Sequence, residues 1–225
     1  MLAILYDIHG NLPALEAVVA DARAEGAAAW FLGGDYGAPS PWPVETLELL
    51  RTLEPATWIR GNGERWIFDR PADRPEVAET YDELLPGPLS EADLRWLYAL
   101  PSHAELEGVL YVHGCVGRDD DTFGPEPAPE DEERVGDVRD TTIVFGHNHV
   151  QFRRPGPSGN YLLNPGSVGM PLDGDRRAAW ALRRQDGEFA FRRTEYDVER
   201  AAKAWRELGG EFGTFAAERL ERGSD

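Results

Sequence analysis

Four of the five histidines in this 225-residue chain, His9, His113, His147 and His149, each stand just after a short strand-like run. Asp7, Asp35 and Asn62 occupy the same kind of position. Taken singly these are weak signals: a lone histidine is more often a satisfied or exposed side chain than a ligand, and Gly34-Asp35 is ordinary turn chemistry. His147 and His149 say more, because residues two apart in extended backbone point the same way, so both imidazoles can face one cavity. Seven nitrogen and oxygen donors repeated at strand ends restrict the fold to sheets whose C-terminal edges share one cleft.

The order of elements agrees. Leu2 to Tyr6 reads as a strand ending at Asp7. Leu15, Val18, Val19 and Ala22 then give a helical stripe, with Asn11 as its cap, Pro13 in its first turn and Gly26 beyond its end. Ala28 to Leu32 is a second strand stopping at Gly33-Gly34-Asp35. A helix near residues 43–53 leads to Thr57-Trp58-Ile59-Arg60 and then Gly61-Asn62-Gly63-Glu64. Residues 65–100 read as helices broken by Pro71, Pro75, Pro86 and Pro88, a lid or side wall in which Ser90 caps the stripe of Leu94, Leu97 and Tyr98.

The remainder is mainly strands. A hairpin through Gly108 joins residues 104–107 to 109–112, and another strand covers residues 141–145. Residues 150–153, 160–163, 178–183 and 188–193 are expected to complete a second sheet. The acidic, proline-rich stretch from Arg118 to Asp140 reads as a mobile loop followed by a short surface helix over residues 130–139. Two helical faces end the chain between Val198 and Leu220. No linker or repeat interrupts it, so residues 1–225 are expected to form one domain.

Composition narrows the function. A formal net charge of −18, with Lys203 the only lysine, opposes nonspecific binding to nucleic-acid polymers and anionic membranes. No apolar run is long enough to span a bilayer, the first residues lack the basic flank of a signal peptide, and the single cysteine, Cys115, permits no internal disulfide. A cytoplasmic protein with no nucleic-acid polymer and no membrane as partner is expected; the oligomeric state is open.

The donor set suits two divalent transition-metal ions, Mn, Fe, Co, Ni or Zn, better than calcium. Two such ions about 3.5–4 Å apart need a bridging carboxylate, for which Asp35 is the candidate. At this point the sequence resembles the calcineurin-like metallophosphoesterases, in particular the small bacterial and archaeal phosphoesterases. Asp7-Ile8-His9, Gly34-Asp35, Gly61-Asn62-Gly63-Glu64, His113-Gly114 and Gly146-His147-Asn148-His149 follow one another in that family's order. The flanks Gly10-Asn11-Leu12 and Asn164-Pro165-Gly166-Ser167-Val168-Gly169 are similar too, as is Tyr196-Asp197.

The resemblance implies an α/β fold, a four-layer α/β/β/α sandwich of two mixed sheets. It implies one metal on Asp7, His9, Asp35 and His149, and another on Asp35, Asn62, His113 and His147, with a metal-bridging hydroxide attacking phosphorus. Asp35, Asn62 and His147 are the catalytic candidates, and Tyr36, Glu64 and Arg65 the candidate substrate contacts. In one respect the chain departs from the family: Gly63 stands where many members carry a histidine that assists the leaving oxygen. Loss of such help costs about 10²–10⁴-fold, least for a good leaving group, so aryl phosphate esters are the expected better substrates. The alternative is a metal-binding scaffold of the same fold with little or no catalysis. A zinc hydrolase of the metallo-β-lactamase type is excluded, because Val150-Gln151-Phe152 follows His149.

Overall fold

The computed structural model describes residues 1–85 and 87–225; Pro86, one of the four prolines expected to break helices, lies outside the described residues. The first half alternates strand and helix as its periodicity requires. β1 (Leu2–Leu5), α1 (Leu12–Ala24), β2 (Ala29–Leu32), α2 (Pro43–Arg51) and β3 (Ala56–Trp58) follow in order, with β1, β2 and β3 parallel. Asn11 caps α1 by accepting the Ala14 amide at 3.2 Å.

Next come α3 (Asn62–Trp66), α4 (Pro75–Leu84) and α5 (Glu91–Tyr98). The second sheet begins with the hairpin of β4 (His103–Leu106) and β5 (Val109–Val112). Glu107 and Gly108 both have positive φ, which gives the two-residue turn a twist matching that of its strands. After α6 (Asp131–Val135) follow β6 (Thr142–Val144), β7 (Gln151–Pro155), β8 (Tyr161–Pro165), β9 (Ala178–Arg183), β10 (Phe189–Thr194), α7 (Val198–Leu208) and α8 (Gly210–Arg222).

Two mixed five-stranded sheets result, in the orders β10-β9-β1-β2-β3 and β4-β5-β6-β8-β7. One expectation fails here. β9 and β10 belong to the first sheet, not the second, because β9 pairs antiparallel with β1 and carries β10 on its far side. Period-two alternation fixes which residues of a strand share a face, but not which strand it joins.

The sheets pack through a layer formed by Ile4, Tyr6, Phe31, Ile59, Val109, Tyr111, Val144, Leu163 and Ala181. The intervening residues Ala3, Leu5 and Leu32 point outward, into a second layer with Val18, Val19, Leu50, Leu94 and Leu97 from the helices. Strands buried on both faces are apolar throughout, which explains the unbroken run at the start of the chain. α5 is thus a wall packed on the first sheet. The outer face of the second sheet, with Leu110, Ile143 and Phe145, is covered by Phe123 and Val135.

The covering segment is pinned where a mobile loop was expected. Asp131 and Arg154, both buried, pair at 2.7 Å, and Arg134 holds Asp121 at 2.8 Å. The helix in this segment is one turn, Asp131–Val135, shorter than residues 130–139. Cys115 is a buried free thiol.

Phe31 lies at the centre of the intersheet layer, 4.1 Å from the Tyr111 ring centroid and 6.0 Å from that of Tyr6. Phe31→Ala is expected to destabilise the protein by about 3–5 kcal/mol; chemical denaturation would measure it, and a loss of under about 1 kcal/mol would show that this layer does not hold the sheets together.

Candidate metal centre

Every expected ligand follows the C-terminal end of a parallel strand. Asp7 and His9 follow β1, Asp35 follows β2, and Asn62 follows β3 at the start of α3; His113 follows β5, and His147 and His149 follow β6. The two sheets aim these ends at one edge, so residues up to 142 positions apart come together. Asp7 Oδ1 lies 4.0 Å from His9 Nε2, 3.7 Å from His113 Nε2 and 3.5 Å from His149 Nε2. Asp35 Oδ2 lies 3.8 Å from His9 Nε2 and 3.6 Å from His113 Nε2. Asn62 Oδ1 is 3.0 Å from His113 Nε2 and 2.8 Å from His147 Nδ1.

The backbone is bent to make this possible. Asp7, His9, Asp35, His147 and His149 have φ between 47° and 71°, five of the eight non-glycine residues with positive φ among those described. Left-handed backbone costs a non-glycine residue of order 1–3 kcal/mol and persists only where its surroundings impose it. Gly34, at φ 96°, is required for a second reason: a Cβ there would lie 2.4 Å from the Gly61 nitrogen and 2.8 Å from His113 Nδ1.

Tautomers follow from hydrogen bonds. Carbonyls only accept, so His113 Nδ1 donates to Gly33 O and His149 Nδ1 donates to Met170 O, each at 2.8 Å. The two Nε2 atoms are thereby left facing inward as ligand atoms. Burial opposes charge on His113, but Asp35 and Asp7 outweigh it and raise its pKa to about 10. Burial, then His149, lowers His9 to about 4; burial, then His113, does the same to His147. Burial alone would raise Asp7 and Asp35, yet the surrounding imidazoles hold both below the usual carboxylate range.

These groups fit a cation better than they fit each other. Asp7 Oδ1 is buried and accepts no hydrogen bond, whereas a buried charge is normally paired. His9 Nε2 and His149 Nε2 face each other at 3.0 Å. The Asn62 oxygen faces ring nitrogens, a contact relieved either by turning the amide or by placing a cation between the atoms. Asp7, His9 and His149 form one group of donors within 4.8 Å of one another, and Asp7, Asp35 and His113 another. Asp7 therefore reaches both halves, as Asp35 does.

The three expected substrate contacts each bond within the protein. Glu64 is buried; its Oε2 accepts the Asp35 and Gly61 amides and its Oε1 the Tyr36 amide, at 2.8–2.9 Å. It thus locks the Asp35 backbone to the start of α3, against the burial and the Asp35 charge that push its pKa to about 7. Tyr36 is buried, its hydroxyl donating toward Leu32 O and Ile59 O at 2.7 and 2.6 Å, so it packs under the site. Arg65 is held by Asp119 at 2.7 Å and Asp120 at 2.8 Å. It ties α3 to the acidic segment, which borders the site through Thr122, a donor to Gly146 O at 3.2 Å.

Sequence reasoning left the Asn164–Gly169 stretch without a role. Ser167 Oγ donates to Asp7 O at 2.7 Å and accepts the Met170 amide at 2.7 Å, while Asn164 Nδ2 donates to Gly146 O at 3.1 Å. This stretch braces the loops on both sides of the cleft.

Residues 1–186 match the calcineurin-like phosphoesterase superfamily domain. The chain belongs to that superfamily. It is a phosphoesterase of the metal-dependent kind, and the cluster above supplies its candidate metal ligands. It is similar to uncharacterized protein MJ0912 of Methanocaldococcus jannaschii, at 27% identity over 89% of this chain and 90% of that one. A crystal structure of a metallophosphoesterase from Sphaerobacter thermophilus is similar at 27% identity and a TM-score of 0.77, covering 99% of each chain. Hypothetical protein PH1004 from Pyrococcus horikoshii shares the fold at 20% identity, with a TM-score of 0.77 over 100% of both chains.

Glu64→Ala would leave three buried amides without an acceptor, each costing about 1–3 kcal/mol. It is expected to weaken metal binding by about 10–100-fold and to lower the melting temperature. Metal-binding calorimetry would check this; unchanged affinity would remove Glu64 from the support of the site.

Proposed function

We propose that this phosphoesterase hydrolyses esters of small, nucleotide-like phosphorylated molecules with two divalent transition-metal ions, of the Mn, Fe, Co, Ni or Zn group. Asp7, His9, Asp35 and His149 would hold one ion and Asp35, Asn62, His113 and His147 the other. The observation that carries this reading is the convergence of imidazole nitrogens and the Asp35 carboxylate around Asp7 Oδ1, which accepts no hydrogen bond. When bound, two such ions polarise a phosphoryl oxygen and lower the pKa of a shared water.

The chain's own groups do the rest. Backbone donors hold the carboxylates: the His147 amide donates to Asp7 Oδ2 at 3.0 Å, and the Gly63 amide to Asp35 Oδ1 at 2.7 Å. Each carboxylate keeps its other oxygen facing the imidazoles. Four histidines and an amide add no negative charge, so the loaded centre would be positive and attract a phosphate. The acidic wall of Asp119 and Asp120 disfavours large anionic polymers. No helix among the described residues is long and apolar enough to cross a membrane.

The phosphoesterase reading is tested with metal-reconstituted protein on aryl and alkyl phosphodiesters. Aryl esters are expected to be cleaved about 10²-fold faster or more, since no imidazole follows Asn62 to assist a poor leaving group. Chelation, and separately Asp35→Ala, should abolish turnover. Equal rates on both ester classes would contradict the leaving-group argument. No turnover with both ions bound would favour the metal-binding scaffold instead.

A further inference from the structure

Gly63 lacks a side chain, but two other groups border the space beside it. A Cβ at this position would stand 2.8 Å from Asp35 Oδ1 and 3.3 Å from the hydroxyl of Tyr81. The phenol therefore reaches the neighbourhood of the bridging aspartate from α4, eighteen positions along the chain. Tyr81 is the one buried residue of that helix, at 8% exposure. α4 is otherwise polar on its surface, with glutamates at 76, 79 and 83.

The ring is held in place by α3 and the loop after it. The Trp66 ring meets it edge-on at 6.0 Å and 85°, and the Arg70 guanidinium lies 5.5 Å over its face. Trp66 is four residues beyond Asn62, so the helix that presents the amide ligand also positions the phenol. Among the described residues the hydroxyl makes no hydrogen bond, and it is not among the polar atoms sealed from solvent. Burial first, then the Asp35 and Glu64 charges, keeps the phenol protonated far above neutral pH, so it is available as a donor.

Resting on the phosphoesterase reading above, we propose that Tyr81 is a catalytic residue whose hydroxyl donates a hydrogen bond to the leaving-group oxygen of the bound ester, in the space beside Gly63. The phenol keeps its proton. It shares the charge that grows on the leaving oxygen as the P–O bond breaks, and solvent water completes the alcohol. This arrangement also gives Gly63 a reason, since a Cβ there would overlap Asp35 Oδ1 and crowd the donor.

The test compares Tyr81→Phe with the wild type as full-length, metal-reconstituted proteins. Phe preserves the contacts with Trp66 and Arg70, and the content of bound metal should not change. Across phosphodiesters from acidic aryl to alkyl leaving groups, kcat is expected to fall little at the aryl end and about 10-fold or more at the alkyl end, with KM nearly unchanged. Affinity for inorganic phosphate, measured by calorimetry, should fall about 10-fold, as for a hydrogen bond to a charged group. An unchanged leaving-group dependence together with unchanged phosphate affinity would overturn the proposal, as would a uniform loss across the series accompanied by loss of metal. If the wild type cleaves none of these esters, the phosphoesterase reading fails by itself. Phosphate affinity then decides on Tyr81 alone: a loss in Tyr81→Phe supports the donor, and no change overturns it.

Discussion

The Asp7 carboxylate is the constraint around which the rest of the site is arranged. It is buried, one of its oxygens accepts only a backbone amide, and the other accepts nothing while three imidazole nitrogens stand within 4.0 Å. A buried charge costs several kcal/mol unless it is paired, and here only imidazoles at 3.5–4.0 Å face that oxygen, none of them within a hydrogen bond of it. The neighbours hold their own hydrogen bonds on the side away from the cleft, and this leaves their lone pairs turned inward.

The scaffold bears the cost of that arrangement. Five candidate ligands sit in left-handed backbone, and the supports that hold them lie outside the cleft. Glu64 binds three amides beneath Asp35, and Ser167 binds the backbone of Asp7. Behind them the aromatic layer of Tyr6, Phe31 and Tyr111 fixes the separation of the sheets. Each sheet contributes about half of the ligands, so that separation sets the geometry of the centre.

The candidate ligands were legible as a cluster in the sequence because the chemistry requires particular residue types and the fold requires particular places for them. Asp7, Asp35, Asn62 and the four histidines satisfy both conditions at strand ends. The layers were legible from apolar runs such as residues 2–6. Partnerships were not. Nothing in the alternation of residues 178–183 says that they pair with β1, and the charges of residues 118–140 do not reveal that Arg134 and Arg154 pin them. Glu64, Tyr36 and Arg65 are near the candidate ligands in sequence, yet their contacts within the protein, burial of Glu64 and Tyr36 and the Asp119 and Asp120 pairs of Arg65, could not be read from it. Tyr81 gave no signal at all, because only the packing of α4 on α3 brings it beside Gly63.

The most direct test of the central claim is the anomalous scattering of a metal-soaked crystal. The account predicts two peaks about 3.5–4 Å apart, one against His9 and His149, the other against Asn62, His113 and His147, with Asp35 between them and Asp7 in coordination. A single peak, or two peaks with the Asp7 carboxylate outside the coordination of either, would contradict it.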